Sequence, residues 1–222
     1  MDEKAVKNFW DQRAECYGKT TFHGSTTFSE SAETKERNKL EKEEIRKRID
    51  FDKDKRIIDI GCGVGRITLA LAKDVDFIVG VDYSQPLIDI ASKKAEEVGL
   101  TNIEFICASS YNFQHNEKFD VAVILGLFSY MNDDNVVKTI KNISRHLKKG
   151  GKIILKESVG LEGRFEVIDK FSDELGTTYN SIYRTPSTLI GLFEENGFKV
   201  IHSKKFFQHR KETGMWFFVF RD

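Results

Sequence analysis

The stretch Ile57-Ile58-Asp59-Ile60-Gly61-Cys62-Gly63-Val64-Gly65-Arg66 decides the fold. A short β-rich run, Arg56 to Ile60, leads into three alternate glycines, and a helix is expected from about Gly65 to Lys73. Glycines let the backbone turn sharply and let a ligand lie directly on it. The helix that opens behind them presents N–H groups with no intrahelical partner. Downstream the alternation continues. Phe77 to Val81 reads as a second strand, and Pro86 opens a helix to about Val98 that Gly99 stops. Ile103 to Cys107 and Val121 to Leu125 read as the third and fourth strands. Residues 133 to 148 form an amphipathic helix with Asp133 and Asp134 at its positive end and Lys148 and Lys149 at its negative end. Gly150-Gly151 is expected to end that helix before a fifth strand, Lys152 to Lys156. Strand and helix in this rhythm mean an α/β, doubly wound parallel sheet covered on both faces. Phe198 to Phe207 and Met215 to Arg221, joined by the polar turn HRKETG, pair only as an antiparallel hairpin. The sheet is thus expected to be mostly parallel, with an antiparallel last strand.

Asp82 stands at the end of the second strand, 21 residues after Gly61. An acid there is placed to accept hydrogen bonds from both hydroxyls of a ribose. Two nucleotide-like ligands compete for the loop. The dinucleotide fingerprint is G-x-G-x-x-G, but here the glycines fall at 61, 63 and 65. Asp59 also precedes the first glycine by two residues, where its charge repels a pyrophosphate and suits the ammonium of an amino acid. Both differences favour S-adenosylmethionine over NAD.

Asp59 to Gly65 resembles the first motif of the class I S-adenosylmethionine-dependent methyltransferases, D-x-G-x-G-x-G. Asp82 matches their ribose acid, Phe119-Asp120-Val121-Ala122-Val123 resembles their fourth strand, and Leu147-Lys148-Lys149-Gly150-Gly151 resembles their lead into the fifth. The resemblance covers roughly residues 50 to 222 in element order and implies a seven-stranded sheet, an S-adenosylmethionine site and S-adenosylhomocysteine as product. It assigns Asp59, Gly61, Gly63, Gly65 and Asp82 to the cofactor, with Leu125 and Gly126 along its methionine part. The chain departs from the pattern after the third strand. Where many members carry an acid for the adenine amino group, this chain has Ala108-Ser109-Ser110-Tyr111. A serine hydroxyl or a backbone carbonyl can accept that bond, so Ser109 and Ser110 are expected cofactor neighbours, with Asn112 as a further contributor. Tyr83 either stacks near the adenine or simply packs.

Composition bounds the rest. The chain has 222 residues, enough for one domain with a real core. Hydrophobic residues are 40% and charged residues 32%, with 35 basic and 35 acidic side chains. That balance calls for neither nucleic acid nor an anionic membrane. Cysteines 16, 62 and 107 match no zinc pattern, and no metal is expected. Cys62 and Cys107 read as small core residues. MDEKAVKNFW has no apolar leader core, so a cytoplasmic protein, monomer or homodimer, is expected. The organisation reads as an N-terminal helical lid segment, 1–49, and a methyltransferase domain, 50–222, with an insertion at 158–185 as a substrate cap. Helices are expected at 5–16 and 33–49, with a Gly-, Ser- and Thr-rich loop between them.

The acceptor is expected beyond the carboxyl ends of the strands, near Phe128, Ser129, Tyr130 and Glu157. Methyl transfer needs the acceptor atom in line at roughly 3 Å, and a base helps where the acceptor is a hydroxyl or protonated amine. Glu157 leads the candidates for that base, followed by Tyr130 and His23, each with a plain alternative as a salt-bridged, packing or exposed side chain. Phe9-Trp10 and Tyr17 resemble the lid of small-molecule methyltransferases, and Tyr17 is a candidate cofactor contact. In the insertion, Phe165, Phe171, Tyr179 and Tyr183 are candidate pocket walls and Arg164 or Arg184 a candidate anion binder, against simple packing and solvation. Phe206-Phe207 and Trp216-Phe217-Phe218 read as core or dimer surface. The leading function is methyl transfer to N or O of a small-molecule acceptor such as a sugar, amine or hydroxylated metabolite. RNA or protein methylation lacks a basic domain and an N-P-P-Y motif after the fourth strand. An NAD oxidoreductase conflicts with Asp59, and a non-catalytic S-adenosylmethionine-binding protein stays open.

Overall fold

A computed structural model describes residues 1–15, 17, 32–49, 54–172, 177–208 and 211–222. Cys16, His23 and most of the 17–31 loop lie outside the described residues. The strands are β1 Arg56–Ile60, β2 Phe77–Asp82, β3 Ile103–Cys107, β4 Phe119–Leu125, β5 Leu147–Gly160, β6 Phe165–Ser172, β7 Thr177–Tyr183, β8 Lys199–Phe207 and β9 Thr213–Arg221. The helices are α1 Glu3–Glu15, α2 Ala32–Arg46, α3 Arg66–Leu71, α4 Gln85–Glu97, α5 Asp133–His146 and α6 Pro186–Glu194. Seven strands form one sheet in the order β3-β2-β1-β4-β5-β9-β8. Strand β9 is antiparallel to both β5 and β8, and the pairings among β3, β2, β1, β4 and β5 are parallel.

Alternate side chains of each strand enter opposite layers, as the twofold period of a strand requires. Ile58, Ile60, Val79, Ala122, Ile124 and Leu155 pack with Val136, Ile140 and Ile143 of α5 and Phe193 of α6. Their neighbours Ile57, Ile78, Val121, Val123 and Ile154 pack on the other face with Ile45 and Ile49 at the end of α2 and Ile67 and Leu71 of α3. Being covered on both sides is why β1, β2 and β4 read as near-continuous apolar runs. In β9, Phe217, Phe218 and Phe220 are fully buried, so this cluster is core and not surface.

Two expectations are corrected. Helix α5 ends at His146, and Gly150-Gly151 lies inside the long β5 and not at a helix stop. The pairing of β4 with β5 shifts register between Phe119 and Val121, and Gly150 has φ +74. The glycines therefore serve a strand irregularity, and Lys148 bonds Asp120 at 2.8 Å. Within the insertion, β6 and β7 form a separate antiparallel pair. Cys107 is exposed, because it ends β3 at the sheet edge, while Cys62 is buried as expected. No helix among the described residues is long and apolar enough to cross a membrane.

The order β2-β1-β4 creates the crevice. After β1 the chain leaves to α3 on one face, and after β4 it passes to α5 on the other, so a gap opens at the carboxyl ends of these two strands. Close packing below the gap is strict at Gly80. A Cβ built there falls 2.8 Å from the Phe105 ring and 3.0 Å from Cys62 Sγ. Gly80→Ala is expected to destabilise the protein by about 1–3 kcal/mol, read as a lower urea midpoint with an unchanged slope.

Candidate active site

A cavity of about 310 Å³ occupies the switch point, within the range of small-molecule sites. The three loop glycines have φ of +75, +54 and +73 at Gly61, Gly63 and Gly65, the left-handed region that favours glycine. Their surroundings differ. A Cβ on Gly61 meets Leu127 at 3.2 Å, and one on Gly65 meets Ala91 at 3.1 Å and Phe105 at 3.2 Å. A Cβ on Gly63 meets nothing within 4 Å, and neither does one on Gly126 after β4. Gly61, Gly63 and Gly126 line the cavity, whereas Gly65 stands outside the lining and lets α3 close on α4 and β3.

Two buried acids face this cavity. Asp82 accepts the Gly63 N–H on Oδ2 at 2.9 Å and the Ser84 N–H on Oδ1 at 3.0 Å. Burial raises its proton affinity, and these backbone donors oppose the rise. Asp59 accepts the Thr68 hydroxyl at 2.6 Å. Burial pushes its carboxyl up to about 6 against the pull of Thr68 and Arg66. The Gly63 N–H is used to orient Asp82. Each carboxylate retains lone pairs beyond these bonds.

Beside Asp82, Tyr83, Ser109 and Ser110 reach the lining. Burial keeps the Tyr83 phenol protonated well above its usual range. Ser109 donates to Asn112 Oδ1 at 2.6 Å, and Ser110 bonds Thr139 at 2.8 Å. Asn112 thus fixes Ser109 from outside the lining. Tyr17 also stands outside it, packed with Ala14, Val64 and Leu87 and bonded by Lys94. The expectation that Tyr17 meets a ligand in this cavity is not met.

On the other side, Leu125, Ser129, Tyr130 and Glu157 line the cavity. Glu157 is 2% exposed and accepts from Phe128 N at 2.8 Å, Ser158 N at 3.1 Å and the Ser129 hydroxyl. Burial raises its proton affinity despite these donors. Tyr130 packs edge-on to Trp10 at 5.1 Å, and its phenol is held protonated by burial. Of the insertion, Tyr179 and Tyr183 line the cavity, with Phe165 stacked on Tyr183 at 4.8 Å. Phe171 is exposed. Arg164, paired with Asp133 and Glu166, and Arg184, paired with Asp133 and two backbone carbonyls, both stand outside the lining. Neither arginine faces the cavity as an anion binder.

Phe9 and Trp10, read from the sequence as part of a lid, line the cavity, and Glu3, Val6 and Arg13, which escaped the sequence reading, share their face of α1, a spacing that only helix periodicity could have flagged. Glu3 latches α1 by accepting from Tyr111 at 2.9 Å and from Asn135. Asp11 accepts from Ser84 at 2.6 Å. Arg66 and Lys156, also lining, converge on Glu41 of α2. Burial alone would raise the Glu41 carboxyl, but Lys156 and Arg66 prevail and hold it at about 2. Among the described residues no cluster of His, Cys, Asp and Glu is placed to hold a metal.

Residues 57–151 match the family described as Methyltransferase domain. Phosphoethanolamine N-methyltransferase 1 of Triticum aestivum is 28% identical over 168 residues, 71% of this chain and 31% of that protein. Ubiquinone biosynthesis O-methyltransferase of Coxiella burnetii is 30% identical over 161 residues, 67% of this chain and 65% of that protein. The chain spans less than two thirds of the length of either. Haemonchus contortus phosphoethanolamine N-methyltransferase 1, solved with phosphoethanolamine and S-adenosylhomocysteine, shares the fold with a TM-score of 0.75 at 19% identity, over 97% of this chain and 48% of that one. Motif, sheet order and the match over residues 57–151 together give the chain a methyltransferase domain with the class I, Rossmann-like fold.

Proposed function

We propose that the chain transfers a methyl group from S-adenosylmethionine to an N or O atom of a small-molecule acceptor. The observation that carries this is the pair of buried acids, Asp59 and Asp82, facing one glycine-floored cavity at the switch point. The open space beside Gly63 and Gly126 is a cradle into which a ligand backbone fits. Asp82, already oriented by Gly63 and Ser84, has lone pairs left for ribose hydroxyls. Asp59 suits an ammonium and opposes a pyrophosphate, which separates this site from a dinucleotide site. Tyr83, Ser109 and Ser110 border the adenine end, and Leu125 and Gly126 the amino-acid end. The cofactor supplies an electrophilic methyl on a sulfonium, so the protein chiefly orients the acceptor and handles its proton.

Ser129 and Glu157 serve the proton. Both line the cavity, and the Ser129 hydroxyl already donates to Glu157. An acceptor O–H or N–H gives its proton to Ser129 Oγ as Ser129 passes its own to Glu157, whose burial favours the protonated form. Tyr130 stays protonated and serves as a wall and donor, not a base. The residues 1–49 act as a lid and 158–185 as a cap, with α1 closing one side of the cavity through Val6, Phe9 and Trp10. That closure favours a small acceptor over RNA or protein.

Calorimetry with S-adenosylmethionine, S-adenosylhomocysteine and NADH is the direct test: the two sulfur nucleotides are expected to bind and NADH is not. Asp82→Ala should weaken S-adenosylhomocysteine by at least about 100-fold, as lost hydrogen bonds to a charged group predict. Wild-type affinity in that variant would remove the site assignment. In a methylation screen of small phenols and amines, Glu157→Gln should lower kcat by roughly 100-fold with little change in the KM for S-adenosylmethionine. An unchanged kcat would exclude the Ser129–Glu157 route.

Asp59 gives a pH-dependent test. Unfolded, its carboxyl ionises near about 3.9, against about 6 when folded. Its favourable contribution is therefore complete below the unfolded value and lost as pH rises through 6, a cost on the order of 3 kcal/mol at neutral pH. Asp59→Asn is expected to be more stable than wild type by an amount that grows from pH 4 to 6 and then levels, while binding S-adenosylhomocysteine weakly. A gap in urea midpoints that stays flat across that range would contradict this account.

A further inference from the structure

The turn that carries Tyr130 into the cavity is held from two sides. Phe128–Tyr130 form a single tight turn between β4 and α5. From β5, Glu157 takes its donors, the Phe128 N–H at 2.8 Å and the Ser129 hydroxyl. From the end of the insertion, Arg184 takes its acceptors. Nη1 donates to Phe128 O and Nη2 to Met131 O, both at 2.7 Å, while Nε donates to Asp133 Oδ1 at 2.7 Å. Ser181 of β7 adds a weaker bond to Ser129 O at 3.4 Å.

Arg184 is 1% exposed and among the largest fully buried side chains in the molecule. A guanidinium is suited to this place because its planar fork donates in several fixed directions at once. A lysine keeps the charge and loses the fork. The positive charge is balanced by Asp133, whose second oxygen is taken by Arg164 of the insertion. The insertion is therefore joined to the start of α5 and to the turn by the same buried arginine.

We propose that Arg184 is a positioning residue for the acceptor side of the cavity: it locks the 128–131 turn, and with it Tyr130 and the Ser129–Glu157 pair, to the β6–β7 insertion. This rests on the reading of that side as the acceptor site. Arg184 does not touch the cavity itself. Its effect reaches it through Ser129 and Tyr130, which do, and through Trp10, packed edge-on to Tyr130 at 5.1 Å.

The test uses the full chain with S-adenosylhomocysteine bound, in a Trp216→Phe background so that emission reports Trp10 alone. For Arg184→Lys, backbone hydrogen exchange across residues 127–132 should accelerate at least about 10-fold. Trp10 emission should shift to the red, while S-adenosylhomocysteine affinity stays within about twofold of the parent. Ser181→Ala should move exchange in the same direction by less, and it decides the matter if Arg184→Lys does not fold. Parental exchange and emission in Arg184→Lys would overturn the proposal. So would changes that appear only with lost nucleotide affinity, since Arg184 would then support the whole fold. Failure of the wild-type chain to bind S-adenosylhomocysteine would instead sink the proposed function, leaving the exchange result to judge the clamp by itself.

Discussion

The bond from the Gly63 N–H to Asp82 couples the first strand to the second at the mouth of the sheet. It requires the left-handed turn at Gly63, and it requires Asp82 to be buried at the end of β2. Gly61 and Gly65 make that turn possible from either side. One gives room to Leu127 arriving from β4, and the other lets α3 close on Ala91 and Phe105. The Gly61 and Cys62 N–H groups add bonds to Val81 O at 2.8 and 3.1 Å, so the loop is tied to β2 by backbone bonds as well as by Asp82.

Such a site is costly to the fold. Asp59, Asp82 and Glu157 are all nearly buried, and burial raises the proton affinity of each. Their hydrogen bonds come from backbone N–H groups and hydroxyls, which reduce the penalty without cancelling it. Glu41 is the contrast. It is equally buried, yet Lys156 and Arg66 hold it ionised. The molecule can compensate a buried carboxylate fully where the charge is structural. Among the described residues it gives Asp59 and Asp82 no directly paired cation, and both face a cavity. That difference is what a binding function predicts, and stability alone does not account for it.

The fold and the glycine–acid end of the cavity were legible because they depend on local pattern. Strand, glycine turn, helix and acid follow one another within residues 56–82, so their spacing carries the geometry. The other half depends on contacts between distant parts of the chain. Glu157 was chosen as a base from its place after β5, but the partners at Phe128 and Ser129 lie far away in sequence. Arg184 reads in the sequence as a pocket anion binder because nothing near it announces Asp133 or the turn carbonyls. The β6–β7 pair was missed because its strands mix charged, polar and aromatic residues with no clean alternation. Gly150-Gly151 misled for a related reason: two glycines after a helix signal a stop, and only the β4 register reveals the strand irregularity they serve.

Rigidity on one wall and closure on the other divide the work of the acceptor side. The turn at 128–131 is bracketed by a carboxylate and a guanidinium, so its position is fixed by charge-assisted bonds in a dry interior, where they are strong. Helix α1 is fastened differently. Its polar latches include contacts at Tyr111, Asn135 and Ser84, and its cavity face sets apolar Val6, Phe9 and Trp10 beside Glu3 and Arg13. A helix held this way separates at lower cost than a turn enclosed by Glu157 and Arg184. On the proposed reading, an acceptor meets α1 on one side and, on the other, a turn fixed by Glu157 and Arg184. In-line transfer demands that asymmetry, since the acceptor atom must arrive and then hold its position to within a fraction of an ångström.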